Sequence, residues 1–194
     1  MARINKVTRD GLDQDVEMAL TYSRLGLAEL TGRETQTMIE PLEVYAHLPD
    51  LFRGIGALEQ STAQLTGIDR RYAALAELKA ATMTQCEYCI DLGSQISRRW
   101  GLSDAELLAL ANYRNSPEFD DVDRLVLDYA AAMSSTPVAV TDDLFALLKQ
   151  HFTDAQVVEL THHLALENMR GRFNFAMGIG AAGFSEGMVC AIPA

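Results

Sequence analysis

The stretch TQCEYCIDLG, residues 84–93, places Cys86 and Cys89 three apart in a chain with only one other cysteine. On a helix, side chains at i and i+3 share a face, so the two sulfurs stand close enough to bridge. If Cys86 opens that helix, the unpaired N–H groups and the positive end of the helix dipole favour a thiolate. A dithiol of that kind attacks a peroxide or exchanges with a disulfide. Two other readings stay open. Zinc needs four ligands, but Cys190 is isolated near the C-terminus, and His162 and His163 are adjacent and cannot easily face one ion from a helix. Two small thiols can also simply fill a helical core.

A second set lies in THHLALENMRGRFN. His163, Glu167, Arg170 and Asn174 recur every three or four residues and make a polar stripe on an otherwise apolar helix. Buried polar groups must be paired. His163 and Glu167 at i,i+4 can hydrogen-bond, and Glu167 and Arg170 at i,i+3 can form an ion pair. Such a network holds an imidazole near neutral pH in one tautomer, as a general base requires. A buried ion pair that locks helices or subunits together explains the same residues without chemistry. Of the two adjacent histidines one should face inward, and His163 with Glu167 is the expected pair. His47 and His151 read as structural.

These groups must be positioned by helices, since period-2 alternation is weak and only TPVAVTDDL looks extended. Residues 11–31 place Leu12, Val16, Leu20, Leu25 and Leu27 on one broad face. Residues 41–66 read as two helices, the second starting at Pro49. RRYAALAELKAAT is rich in good helix formers. CEYCIDLGSQISRRWG resumes a helix that stops at Gly101. LSDAELLALANY opens on a capping box, Ser103 with Glu106. SPEFDDVDRLVLDYAAAMSSTP runs from a Ser-Pro start to a Pro stop, and two helices opening on Thr-Asp follow. The glycine-rich tail, IGAAGFSEGMVCAIPA, has no preceding strand, which argues against a dinucleotide fingerprint, and is expected to wrap over the surface. About eight helices and no sheet result, read as one all-α domain over residues 1–194.

The chain has 194 residues, 48% hydrophobic, with a formal net charge of −11. Its length suits one domain with a sizeable core. The negative balance disfavours nucleic acid and anionic lipid as partners. No stretch approaches the ~18 uncharged apolar residues of a membrane span, and the N-terminal segment lacks the apolar run of a secretory signal. A cytoplasmic location is expected, where a close cysteine pair reads as redox-active, catalytic or metal-binding.

LAELKAATMTQCEYCIDLGSQISRRWGLSDAEL, with SPEFDDVDRLVLDYAAAMSSTPVAVTDDLF and HFTDAQVVELTHHLALENMRGRFNFAMGIGAAGFSEGMVC, resembles the carboxymuconolactone decarboxylase family, which includes the D-type alkyl hydroperoxidases. The resemblance runs over about residues 40–190. It implies an all-α helical bundle and a trimeric or hexameric homo-oligomer. It further implies a reversible dithiol in which Cys89 attacks the hydroperoxide and Cys86 resolves the sulfenic acid to a disulfide, which a thiol reductant then reopens. No metal and no organic cofactor is implied.

Two positions depart from the peroxidase pattern. Where that pattern has a glutamate twelve residues before the first cysteine, this chain has Ala74. Where it has a histidine four residues after the second, this chain has Gly93. Those two groups form the proton relay of the peroxidases. Glu77, one turn beyond Ala74, projects from nearly the same helix face and is a candidate replacement, as are His163 and Glu167. The leading expectation is thus a thiol-dependent peroxidase or disulfide oxidoreductase. A second is a decarboxylase or lyase, with Arg170 or Arg172, beside Asn174, binding a substrate carboxylate and His163 moving a proton. A third is a helical oligomer that has lost the relay and catalyses nothing.

Overall fold

Side-chain caps fix where most of the helices begin. Asp69, Ser103, Asp120, Thr141 and Thr153 each accept a backbone N–H from the first turn that follows them, so the orphan donors of those turns are satisfied locally. In the computed structural model, which describes residues 2–8 and 10–192, these caps open helices in a chain without strands among the described residues. The helices are α1 (Gln14–Thr31), α2 (Glu40–Tyr45), α3 (Pro49–Ala63), α4 (Arg70–Thr84), α5 (Glu87–Arg99), α6 (Asp104–Ala109), α7 (Asp121–Ser134), α8 (Asp142–His151) and α9 (Asp154–Met177). A 3₁₀ turn, Leu110–Asn115, follows α6. No helix among the described residues is long and apolar enough to cross a membrane.

Several boundaries fall where the sequence places them: Pro49 opens α3, and Ser103 with Glu106 forms the capping box of α6. Others differ. Ser116-Pro117 does not start α7. The reciprocal box between Asp120 and Asp123 does, while Ser116 only closes a turn onto the Glu118 N–H. The helix expected through Tyr113 breaks after Ala109, and Asn112 leaves helical geometry. TPVAVTDDL is a connection whose Thr141 caps α8. Leu25 leaves the core face of α1 and is exposed, whereas Val16 and Leu20 are buried.

α4 sits at the centre. Leu75, Ala76, Leu78, Ala80 and Ala81 are all buried, and the helix packs against α5, α7 and α9. Its small side chains let those neighbours come close. α9 runs beside α4 in the same direction: Glu77 meets His163, and Thr84 meets Gly171 about two turns later. A Cβ at Gly171 would lie 2.3 Å from the Thr84 hydroxyl oxygen, so only glycine permits this approach.

The tail does not lie loosely on the surface. Its Phe184 is fully buried. The carboxylate of Asp91 on α5 accepts the backbone N–H groups of Ala182, Gly183 and Phe184 on one oxygen and that of Ser185 on the other, at 2.7–3.0 Å. Successive amides converging on one buried carboxylate form a nest. The Ser185 hydroxyl donates back to the Asp91 carbonyl, and Phe184 packs edge-on against Tyr88. The tail thereby braces the helix that carries the cysteines.

Replacing Asp91 with Ala leaves three buried donors and one half-buried donor without an acceptor and is expected to cost at least ~3 kcal/mol. Hydrogen exchange at residues 182–185 should accelerate and the melting temperature fall. Unchanged protection of those amides would show that the nest does not hold the tail.

Candidate active site

Cys86 is the N-cap of α5, with its sulfur accepting the Cys89 N–H at 3.2 Å. The two sulfurs are joined as a disulfide. Cys86 is 1% exposed and Cys89 9%, so both are buried and Cys89 is the less deeply buried residue of the two. The turn before them is shaped by Gln85, which adopts the left-handed region at φ 53° and caps α4. The chain therefore reverses between α4 and α5 at the cysteines, and the positive end of α5 points at them.

Among the described residues one polar side chain hydrogen-bonds the sulfurs. The amide of Asn174, itself buried, lies 3.6 Å from Cys86 Sγ and 3.5 Å from Cys89 Sγ with its N–H₂ as donor. Asn174 stands on α9 one turn beyond Gly171, so the Thr84–Gly171 contact sets its height against the dithiol. The sequence placed Asn174 in the polar stripe but assigned it to substrate. Its partner is the cysteine pair.

The remaining stripe residues assemble one to three turns earlier. Glu77 Oε1 and His163 Nδ1 are 2.7 Å apart. Arg170 donates to Glu167 Oε2 at 3.1 Å, approaches Glu77 at 3.7 Å, and pairs with Glu59 of α3 through Nε and Nη2. The expected pairing of His163 with Glu167 is replaced by one with Glu77, because packing α4 on α9 offers a carboxylate from the neighbouring helix. Glu77 is accordingly not a freely solvated side chain. His162, by contrast, turns aside to the hydroxyl of Thr62. Glu59 was missed; a carboxylate on an amphipathic helix gives no sequence signal of its partner.

This cluster holds three carboxylates, one guanidinium and one imidazole. Glu167 is buried and its Oε1 meets no donor. Loss of hydration there raises its pKa to about 7; the Arg170 charge opposes the rise, and the Glu77 and Glu59 charges add to it. The same carboxylates hold Arg170 firmly in its protonated form. His163 is eleven residues before Asn174, an offset of ~16 Å along the helix. Neither it nor any carboxylate hydrogen-bonds a sulfur among the described residues. Arg170 is wholly engaged by glutamates, whereas Arg172 contacts only neutral oxygens, those of Asn168 and Thr136.

The two departures from the peroxidase pattern have a packing account. Ala74 is buried in α4. At Gly93, a Cβ would already be 3.2 Å from Leu78 Cδ1, so Leu78 occupies the space into which a longer side chain would project.

An all-α chain with a cysteine pair at a helix start, braced by a parallel central helix pair, has the architecture of the AhpD-like helical proteins. The model of the carboxymuconolactone decarboxylase family matches residues 49–132, and YnjA, an uncharacterized protein of Escherichia coli K12, is 37% identical over 171 residues, which cover 86% of this chain and 89% of YnjA. The chain belongs to the carboxymuconolactone decarboxylase family. Among solved structures, the debrominase Bmp8 in complex with 2,3,4-tribromopyrrole is similar with a TM-score of 0.74 at 18% identity, over 92% of each chain. An AhpD-core, peroxidase-related protein of Ralstonia eutropha JMP134 is similar with a TM-score of 0.74 at 20% identity, over 93% of this chain and 92% of that one. At these identities the two structures share its fold.

The Glu167 carboxyl yields a pH dependence with a definite sign. Its native pKa lies above the unfolded value of 4.5, so between about pH 4.5 and 7 the native state holds a proton that the unfolded chain has released, and stability falls as pH rises through that window. A Glu167→Gln variant should lose this slope. It should exceed the wild type in stability above pH 7 by on the order of 1–3 kcal/mol. Urea unfolding at pH 5 and pH 8 measures both; equal slopes for the two proteins would refute the assignment.

Proposed function

We propose that the protein is a dithiol peroxidase, or more broadly a thiol–disulfide oxidoreductase, working through Cys86 and Cys89. The observation that carries this reading is the bridged pair at the start of α5, with the more exposed sulfur on Cys89 and the Asn174 amide donating to both. In the reduced protein the Cys89 thiolate attacks the outer oxygen of a hydroperoxide. The O–O bond breaks, Cys89 becomes a sulfenic acid, and the leaving alkoxide takes a proton to give an alcohol. The Cys86 thiol then attacks the Cys89 sulfur, forming the disulfide and releasing water. An external dithiol reopens the disulfide by two exchange steps and is itself oxidised.

No imidazole activates the nucleophile directly in this reading. The α5 N-terminus and the Asn174 N–H₂ stabilise negative charge on sulfur. The Glu77–His163–Glu167–Arg170–Glu59 cluster lies apart from the sulfurs on α3, α4 and α9, and within it the Glu167 carboxyl, its pKa raised by burial to about 7, keeps a proton to near neutrality. Membership in a family with peroxidase members supports this assignment, as does the likeness to a peroxidase-related structure. A homo-oligomer, a hydroperoxide substrate, a small-molecule or protein thiol as reductant, and a cytoplasmic setting complete the reading.

The decisive assay is hydroperoxide consumption driven by a dithiol reductant. Cys86→Ser and Cys89→Ser should each abolish turnover, with Cys89→Ser alone preventing sulfenic acid formation in a single-turnover trap. Asn174→Leu should retain the fold but move the pH midpoint of iodoacetamide alkylation of the reduced pair upward, and lower the rate about tenfold. Full activity in the double Cys→Ser variant would overturn the proposal.

A further inference from the structure

Two adjoining open depressions, of about 290 and 570 Å³, lie on the face of the molecule where the C-terminal end of α7 passes α9, and Ser135, Thr136 and Arg172 line both. We propose that this groove binds a small organic anion, a monocarboxylate with an apolar body, whose carboxylate is held by Arg172. The site is distinct from the dithiol. Arg172 and Asn174 are two residues apart on α9, hence ~160° apart around the helix, and Asn174 faces the sulfurs.

Arg172 is held in place but not neutralised. Its Nη1 donates to Asn168 Oδ1 at 2.5 Å and its Nη2 to Thr136 Oγ1 at 3.0 Å. The Asn168 amide is itself buried and fixed, its Nδ2 donating to Ser134 Oγ and to the Leu164 carbonyl, each at 2.9 Å. The asparagine oxygen therefore has to face the guanidinium. Two neutral acceptors use two of the five guanidinium donors, leaving enough for a forked pair with a carboxylate. Among the described residues no carboxylate comes within 4.0 Å of Arg172, although the chain has 27 acidic residues. Arg170, two residues earlier on α9, meets three glutamates; the contrast makes Arg172 a positioned cation without an anion.

The walls specify the rest of the ligand. Met83 and Phe175 line the larger depression, and Met133 and Val138 the smaller. Phe175 is 57% exposed and Val138 60%, apolar surface that an apolar body would cover. The Arg3 guanidinium, bonded to the Ala176 carbonyl at the rim, adds positive potential. A chain of net charge −11 repels polyanions, so a compact acid is favoured over nucleic acid or a polyphosphate.

The test is calorimetric titration of the full-length oxidised protein with 4-phenylbutanoate at low ionic strength, beside its neutral amide. Saturable binding of the acid is expected, about tenfold or more tighter than the amide. Arg172→Met, a change at an exposed position, should weaken the acid about tenfold and leave the amide unaffected, whereas Arg172→Lys should lose less. Phe175→Ser should weaken acid and amide alike. No saturable binding of the acid up to about 10 mM, equal affinity of acid and amide, or undiminished binding to Arg172→Met each overturns the proposal. So does competition by inorganic phosphate as strong as that of the acid itself, since the apolar walls would then contribute nothing. Sedimentation showing a dimer that Arg172→Glu splits would instead make the groove a contact between copies of this chain.

Discussion

The approach of α9 to α4 at Gly171 is the constraint on which the site depends. Parallel helices packed through ordinary side chains keep their axes about 8–10 Å apart. At Gly171 the Thr84 hydroxyl takes the volume a Cβ would fill, so the two backbones close at the end of α4. That closure brings Asn174 over the disulfide, since Thr84 precedes the first cysteine by two residues and Asn174 follows Gly171 by three. It also sets the register for Glu77 against His163 further back. One small residue thus positions both the donor on the sulfurs and the charged cluster.

The dithiol is held from two further directions. Gln85, in a left-handed conformation, turns the chain so that Cys86 caps α5 instead of extending α4. From the other side the tail clamps α5 through Asp91, with Phe184 against Tyr88. A redox pair needs such bracing because the disulfide and dithiol states differ in sulfur spacing. The helix start must hold while the sulfurs move. Buried backbone donors tied to a carboxylate give a stiffer brace than apolar contact alone, because each unmade bond carries its own desolvation cost.

Much of the helical scaffold was legible because its signals are local. Capping boxes at Ser103 and Thr153 and the Pro49 start act within one turn. The cysteine pair was legible for the same reason. Errors came where distant segments compete for one group. His163 was paired with Glu167 on its own helix, whereas the carboxylate it meets, Glu77, is 86 residues away in sequence. The role of Asp91 had no local signal at all, since it depends on four amides about ninety residues further on. Ser116-Pro117 gave a plausible helix start but lost to Asp120, whose box with Asp123 satisfies two donors at once.

The replaced relay positions and the buried cluster are linked by volume. Leu78 fills the space beside Gly93, and Ala74 lets α4 stay close-packed at its buried face. At Gly93 a side chain would need Leu78 to give way by a few tenths of an ångström, and at Ala74 it would have to enter a buried face. The charge stands instead at Glu77, one turn on from Ala74, where it faces α9 and α3 supplies Glu59. There the helices enclose three carboxylates around one arginine. Two carboxylates beside one guanidinium are easily accommodated; the third, on Glu167, has an oxygen without a donor and therefore keeps its proton to near neutrality.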